Sequence, residues 1–198
     1  MRPPTTQHLS TDEMRRRAPF HYWQRADNAR FAARILSTRP EQISATEAAP
    51  VDYDGAPSIA LLEAFQREAS IALELVVKAV IAQQIELGVA QDHVTKVRHT
   101  HDVPALWRDA KLPSLTGQDP GRLLLVKTTL MWSGRYPAPK TDKEGAKDYA
   151  AIAEYYEVVA TFGGGQSVKR PFSFEWDDFD RIFCIARDAF WDLRSYLP

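Results

Sequence analysis

Apolar residues recur along the chain at alternating intervals of three and four, the spacing that places side chains on one face of an α-helix. From His21 to Ser37 the charged residues fall largely on the other faces. The apolar face of this stretch consists of Tyr22, Ala26, Ala29, Ala33 and Leu36. The charged residues are Arg25, Asp27, Arg30 and Arg34. The pattern predicts an amphipathic helix that packs one side against a core.

The most apolar stretch of the chain lies between Ile59 and Leu87 and carries two apolar stripes. The first stripe consists of Leu62, Phe65, Ala69, Ala72, Val76 and Val80, and the second of Ile71, Leu75 and Ala79. A helix with two apolar faces needs neighbours on both sides, so we expect it at the centre of a bundle. Gly88 is expected to end it, because glycine tolerates the left-handed backbone at helix C-termini.

Two shorter helices are predicted by their start signals. Asp102 followed by Pro104 is typical of a capped first turn, and Asp119 followed by Pro120 repeats the signal. The second helix is expected to end at Gly134 and Pro137. The predicted buried faces are Val103, Leu106, Trp107 and Ala110 in the first helix, and Leu123, Leu124, Val126, Leu130 and Met131 in the second.

The last two helices are predicted from Asp142 to Phe162 and from Ser173 onward. The three glycines at 163–165 are expected to terminate the first, and Ser173 to cap the second. The helical spacing rests on Tyr149, Ile152, Ala153, Tyr156 and Ala160, and then on Phe179, Ile182, Phe183, Ala186, Phe190, Leu193 and Leu197. No stretch alternates apolar and polar residues as a strand does, so no sheet is expected.

Together these elements predict an all-α fold, an antiparallel up-and-down helical bundle around the long apolar helix. Residues 1–19 are predicted to form an N-terminal arm with a short helix, which starts near Thr11 and is broken by Pro19. Residues 20–198 are predicted to form the bundle, in which residues 40–55 are a connection with room for a short helix.

Charge and cysteine content limit the cellular compartment and the classes of partner that we expect. A net charge of −1 argues against a protein that coats nucleic acid by bulk charge, but a local basic groove stays open. The run Arg15, Arg16, Arg17 is interpreted as a solvated helix face. Cys184 is the single cysteine, so no intrachain disulfide forms and a cytoplasmic location is predicted. Because the sequence has neither a membrane-length apolar run nor an apolar signal core, no membrane partner is expected.

Two motifs suggest chemistry that the rest of the sequence does not support. The glycines at 163–165 are not followed by the Lys-Ser or Lys-Thr pair of a phosphate-binding loop. His99, His101 and Asp102 are close together, but no second His or Cys cluster completes a zinc ligand set. We therefore predict no metal and no cofactor, and interpret this segment as a polar loop with a helix cap.

Two groups of residues each allow two interpretations. Glu74 and Lys78, four apart on the most apolar helix, form either an ordinary pair on a solvated stripe or the charged lining of a groove. Trp132, Arg135 and Tyr136 either hold a phosphate and stack a base, or pack under a helix end whose carbonyls Arg135 caps.

The order of these residues resembles the HEPN (higher eukaryotes and prokaryotes nucleotide-binding) domain family over residues 20–197. The family has an aromatic near the start of its first helix, a charged central helix and a His-Asp-Leu segment that opens its third helix. Some members also carry an Arg-Tyr-Pro string. The similar segments here are Tyr22-Trp23, Glu74-x-x-x-Lys78-Ala79, His101-Asp102 with Leu106, and Arg135-Tyr136-Pro137.

The resemblance implies a helical bundle that often forms a homodimer and works beside nucleotides or RNA. It implies that one groove near the central helix contains the ligand-binding residues Glu74, Lys78, His99, His101, Asp102, Arg135 and Tyr136. Many members are toxin ribonucleases with an Arg-x4–6-His motif in a later helix. Here that spacing occurs at the N-terminus, from Arg15 or Arg16 to His21, and no histidine follows His101.

Three functions follow as hypotheses. The first is a non-catalytic domain that binds a nucleotide, RNA or a protein partner through the groove. The second is a metal-independent ribonuclease of a toxin–antitoxin pair, in which His99 or His101 transfers the proton. The third is a structural or stress-response scaffold without a small-molecule site.

Overall fold

The computed structural model describes residues 10–38, 49–134, 136, 138–163 and 166–195. Within these ranges the chain forms α-helices and one two-stranded hairpin. The helices are α1 (Thr11–Arg17), α2 (Pro19–Ser37), α3 (Pro57–Glu86), α4 (Val103–Asp109), α5 (Asp119–Thr128), α6 (Asp142–Ala153) and α7 (Trp176–Arg194). The strands are β1 (Glu157–Thr161) and β2 (Ser167–Arg170), and a 3₁₀ turn occupies Ala49–Val51. The predicted all-α class is therefore corrected to a mostly helical fold with a small hairpin.

The long central helix α3 is confirmed. Pro57 occupies its first turn, where the missing N–H costs nothing, and Gly88 follows its end with a positive φ of 71°. From Phe65 to Gln84 most of its side chains are buried, on more than one face. Leu62 and Ile71, which the two predicted stripes include, are exposed, so the stripes are buried only in part.

Helices α2, α3 and α7 enclose the aromatic core. Trp23 of α2 stacks on Phe190 near the end of α7, with ring centroids 5.3 Å apart. Phe65, early in α3, meets Phe179 at the start of α7, 6.3 Å away. The contacts show that α7 runs antiparallel to α2 and parallel to α3. The buried stripe of α7 is confirmed over Phe179–Phe190, and each fully buried phenylalanine contributes about 1.5–3 kcal/mol. Leu197 lies outside the described residues.

The predicted starts of α4 and α1 are confirmed with small changes of detail. Asp102 caps α4 by accepting a hydrogen bond from the N–H of Ala105 at 3.1 Å. Helix α1 begins at Thr11, but Ser10 is its cap, and Pro19 opens α2. Residues 1–9 of the predicted arm lie outside the described residues.

Helix α5 begins at Asp119, runs into a π-helical turn over Thr129–Ser133 and ends at Gly134. A Cβ at Gly134 would lie 2.7 Å from the carbonyl oxygen of Thr129, so this close approach requires glycine. Pro137, the second predicted stop, lies outside the described residues.

The predicted helix over Asp142–Phe162 is wrong in its second half. Helix α6 ends at Ala153, and β1 then pairs with β2 in an antiparallel hairpin that has a bulge between Val158 and Ala160. Val158, Val159 and Thr161 are β-branched and favour an extended backbone over a helix. The first of the three glycines, Gly163, lies in the connection between the strands, and the other two lie outside the described residues.

The predicted cap of the last helix is also wrong. Glu175 is the N-cap of α7, and its N–H donates to the Asp178 carboxylate at 3.4 Å. The Ser173 hydroxyl instead donates to the same carboxylate at 3.2 Å, because Asp178 offers a charged acceptor nearby. Asp177 and Asp178 do lie in the first turn, as predicted.

An ion-pair network joins the starts of α5 and α7. Asp119 is buried and accepts from Arg122 at 2.9 Å and from both terminal nitrogens of Arg181. Arg122, also buried, pairs with Asp178 at 2.9 Å and donates through Nε to the Ser173 carbonyl at 3.0 Å. The network therefore links the start of α7 to the start of α5.

Over the described residues, no helix has the length and apolar character that crossing a membrane requires.

Candidate functional site

Glu74 and Lys78 form a buried ion pair on α3. The Lys78 ammonium donates to Glu74 Oε1 at 2.6 Å, and the two side chains are only 9% and 10% exposed. The interpretation as a pair on a solvated stripe is therefore wrong. Withdrawing two charges from water is costly, and their attraction offsets that cost only with good geometry and further hydrogen bonds.

His101 supplies one such hydrogen bond. Its Nδ1 lies 2.7 Å from Glu74 Oε2, although the two residues are 27 apart in sequence. Because an ionised carboxylate only accepts hydrogen bonds, we assign the proton to Nδ1, which donates to Glu74. The His101 side chain is 46% exposed, so this imidazole connects the buried pair of Glu74 and Lys78 to solvent.

Asp102 joins the loop before α4 to helix α5. One carboxylate oxygen caps α4, and the other accepts from the Lys127 ammonium at 3.1 Å. Partial burial opposes ionisation of Asp102. The Ala105 N–H and the Lys127 charge outweigh that effect and hold the pKa of Asp102 below its ordinary value of 3.8. Lys127 is a member of this group that the sequence did not indicate.

We call Glu74, Lys78, His101, Asp102 and Lys127 the polar cluster. It contains two acids, two bases and one imidazole, so its charges nearly cancel. Within the described residues, Nε2 of His101 has no hydrogen-bond partner and is able to donate to or accept from a ligand. The arrangement presents one imidazole that a buried carboxylate orients, and the next residue, Asp102, holds a partly exposed lysine.

The low pKa of Asp102 predicts a pH-dependent contribution to stability. An acid with a folded pKa below its unfolded pKa stabilises the fold above the unfolded value, and that stabilisation is lost as pH falls through the folded pKa. We therefore expect Asp102→Asn to destabilise the protein at pH 7, and the difference from the wild type to shrink below about pH 4. Urea unfolding at pH 7 and pH 3 measures this. Lys127→Gln should weaken the same dependence, because it removes a charge that lowers the pKa.

The other predicted site residues lie apart from the polar cluster or outside the described residues. His99 lines a separate cavity, among whose lining residues His101 is absent. Tyr136 is exposed, and its backbone N–H donates to the Trp132 carbonyl at 2.8 Å. Arg135 lies outside the described residues. Trp132 donates through Nε1 to Asp148 at 3.3 Å, a contact between the end of α5 and α6 rather than a free stacking surface.

In the described ranges, no three His, Cys, Asp or Glu side chains come together in a way that could hold a metal ion. No family model, curated protein or solved structure matches this chain.

Proposed function

We propose that this chain is a non-catalytic, HEPN-like helical domain that binds a nucleotide or an RNA segment at the polar cluster. One observation carries the proposal: a buried carboxylate holds Nδ1 of His101 while half of the imidazole faces solvent. Stability alone is a weak reason to bury a charged pair beneath an exposed histidine, because replacing such a pair by well-packed apolar side chains is often neutral or stabilising.

The polar cluster suits a ligand that carries phosphate and hydroxyl groups. Nε2 of His101 accepts from a ribose hydroxyl when the ring is neutral and donates to a phosphate oxygen when it is protonated. Lys127, about one-third exposed, provides a cation for the same phosphate. Glu74 and Lys78 are too buried to contact the ligand directly and instead orient the imidazole of His101.

The helix order supports the likeness to HEPN domains. The central helix carries Glu74 and Lys78, and the segment His101-Asp102 opens the next helix. In the family resemblance these two segments contribute to one groove, and here their side chains are in contact.

Native mass spectrometry of the purified chain with a panel of nucleotides and short RNAs tests the proposal. We expect a retained ligand in the wild type and at least about tenfold weaker binding in His101→Ala, since a hydrogen bond to a charged group is lost. His93→Ala is the matched control, because His93 is an exposed histidine of the same loop and contacts Asp109 instead. Arg135→Ala tests the remaining prediction from the sequence.

The same experiment also tests the other predicted partners, a second copy of the chain and a different protein. The mass gives the oligomeric state and so tests the expected homodimer. If neither nucleotide nor RNA is retained, or if His93→Ala weakens binding as much as His101→Ala does, the polar cluster is not a nucleotide or RNA site. A protein partner, or a scaffold without a ligand, would then be the remaining hypothesis.

A metal-independent ribonuclease is the second candidate, and the same imidazole favours it. With Nδ1 bound to Glu74, a neutral His101 has an unprotonated Nε2, which can remove the proton from a ribose 2′-hydroxyl as that oxygen attacks the adjacent phosphorus. A 2′,3′-cyclic phosphate forms, the bond from phosphorus to the 5′-oxygen breaks, and the 5′-oxygen leaves with a proton from water. Incubation with end-labelled RNA in the presence of EDTA separates the two functions. Cleavage that His101→Ala abolishes would make the chain an enzyme, and intact RNA would leave the binding domain.

A further inference from the structure

The cavity that His99 lines has a volume of about 710 Å³ and lies at the end of α3 opposite to Pro57. Its walls are α1 and the start of α2, the last turns of α3, the loop 95–99 and Arg194 of α7. This volume is within the range of small-molecule sites. The cavity contains no residue of the polar cluster, so what it binds is independent of the function proposed above.

Most of the cavity lining is apolar, and two of its side chains are aromatic. The apolar residues come from four parts of the chain, so no single helix face forms the surface. They are Met14, Ala18, Pro19, Phe20, Tyr22, Ala82, Ile85 and Val97. Such a lining favours the apolar body of a small molecule, with a few polar groups to fix its orientation.

The charged side chains of the lining do not cancel. Arg17 and Glu13 neutralise each other at 2.6 Å. In the part of the chain that the structure describes, Lys96, Arg194 and Glu86 make no ion pair, although all three line the cavity. Two cations therefore face one carboxylate, which leaves the cavity with one positive charge in excess.

Among the described residues, Arg194 is held in place without an ion pair. Its guanidinium lies over the rings of Phe20, Phe190 and Trp191, at 5.5, 5.8 and 5.9 Å from their centroids. Nη1 of Arg194 is 3.5 Å from Oε1 of Gln83, a neutral acceptor. Aromatic faces orient a cation and leave its N–H groups able to bind an anion.

We propose that this cavity binds a small organic anion with one negative charge and a flat apolar body. Lys96 and Arg194 hold the anionic group, and the apolar lining around Phe20 takes the body. A neutral molecule of the same shape binds through the lining alone, and an organic cation is disfavoured by the excess positive charge.

Two dyes of nearly the same shape test both parts of the proposal. The anionic probe is 8-anilinonaphthalene-1-sulfonate, and the neutral probe is N-phenyl-1-naphthylamine, which lacks the sulfonate. We expect saturable binding of both by the folded wild-type chain in fluorescence titrations. Lys96→Gln should raise the dissociation constant of the anionic dye about fivefold, the size of one solvent-exposed charge contact, and leave the neutral dye unchanged.

Matched variants distinguish the loss of this charge contact from unfolding and from a change in the overall charge of the chain. Lys96 is exposed, so its replacement should not unfold the chain, and circular dichroism melts verify this. Lys96→Arg should restore anion binding, whereas Lys143→Gln, the same charge change on exposed α6, should leave it at the wild-type level. His101→Ala should also leave dye binding unchanged, which separates this site from the polar cluster.

Three outcomes would each overturn the proposal. One is the absence of saturable binding of the anionic dye by the wild type. Another is equal affinity of the wild type and Lys96→Gln for that dye. The third is an equal loss of affinity in Lys143→Gln, which would show that overall charge and not this cavity attracts the anion.

Discussion

Glu74→Ala is expected to lower the free energy of unfolding by about 3–5 kcal/mol at neutral pH. The substitution leaves the Lys78 ammonium buried without its acceptor, and His101 loses the carboxylate that holds its ring. Breaking a buried pair is costly because the remaining charge is uncompensated, and the cost therefore exceeds what the pair contributes. Urea unfolding followed by circular dichroism measures the loss.

The chain contains a closely matched control for this prediction. Glu13 and Arg17 also lie four apart on a helix, and their charged atoms are also 2.6 Å apart, but their side chains are 39% and 66% exposed. Glu13→Ala should cost less than about 0.5 kcal/mol, because water solvates whichever charge remains. Equal losses in the two variants would mean that burial does not strengthen the Glu74 pair.

A double variant separates the cost of an orphaned charge from the value of the pair. Glu74→Leu with Lys78→Met removes both charges and keeps the side-chain volume, so its stability should stay within about 1 kcal/mol of the wild type or exceed it. If the double variant is as unstable as Glu74→Ala, the pair itself stabilises the fold. In that case the stability of the fold is sufficient to explain why the two charges are buried.

The long helix and the helix caps could be predicted because they depend on local signals. Periodic apolar residues between Phe65 and Val80, with Gly88 after them, determine where α3 is buried and where it ends. Asp102 caps α4 through a contact only three residues away.

The hairpin was missed because two local signals compete. Tyr156 and Ala160 continue the helical spacing of α6, whereas Val158, Val159 and Thr161 favour a strand. A run of glycines is consistent with a helix stop and with a turn between strands, so it cannot decide between them. Pairing with β2, which begins six residues after β1 ends, favours the strand here.

The polar cluster could be predicted only in part, because it depends on the path of a loop. Periodicity places Glu74 and Lys78 on one face of α3 but does not tell whether another element covers them. From the resemblance to HEPN domains we expected His101 and Asp102 in one groove with Glu74 and Lys78. In the structure His101 contacts Glu74, whereas Asp102 contacts Lys127, which was not among the predicted residues. Lys127 carries no local signal, because a lysine in the last turn of a helix is ordinary.

Asp119→Ala is expected to destabilise the protein by about 3 kcal/mol, at the lower end of the range for a broken buried ion pair. Asp119 accepts from Arg122 and Arg181. Its loss leaves the buried Arg122 with the Asp178 carboxylate, the Ser173 carbonyl and the Gln118 side-chain oxygen as acceptors. The remaining carboxylate moderates the cost, so the loss should be smaller than in Glu74→Ala. Urea unfolding at neutral pH measures it, under the same conditions for both variants.

Arg181→Ala is the control that shows which contact of this network stabilises the fold most. Half of the Arg181 side chain is exposed, so its removal should cost about 1 kcal/mol or less although it contacts the same carboxylate. Amide hydrogen exchange in α5 and α7 should rise in Asp119→Ala and change little in Arg181→Ala, since only the first substitution removes the buried carboxylate that Arg122 and Arg181 share. If Arg181→Ala is as destabilising as Asp119→Ala, the exposed contact holds α7 against α5, and the buried pair between Asp119 and Arg122 adds little.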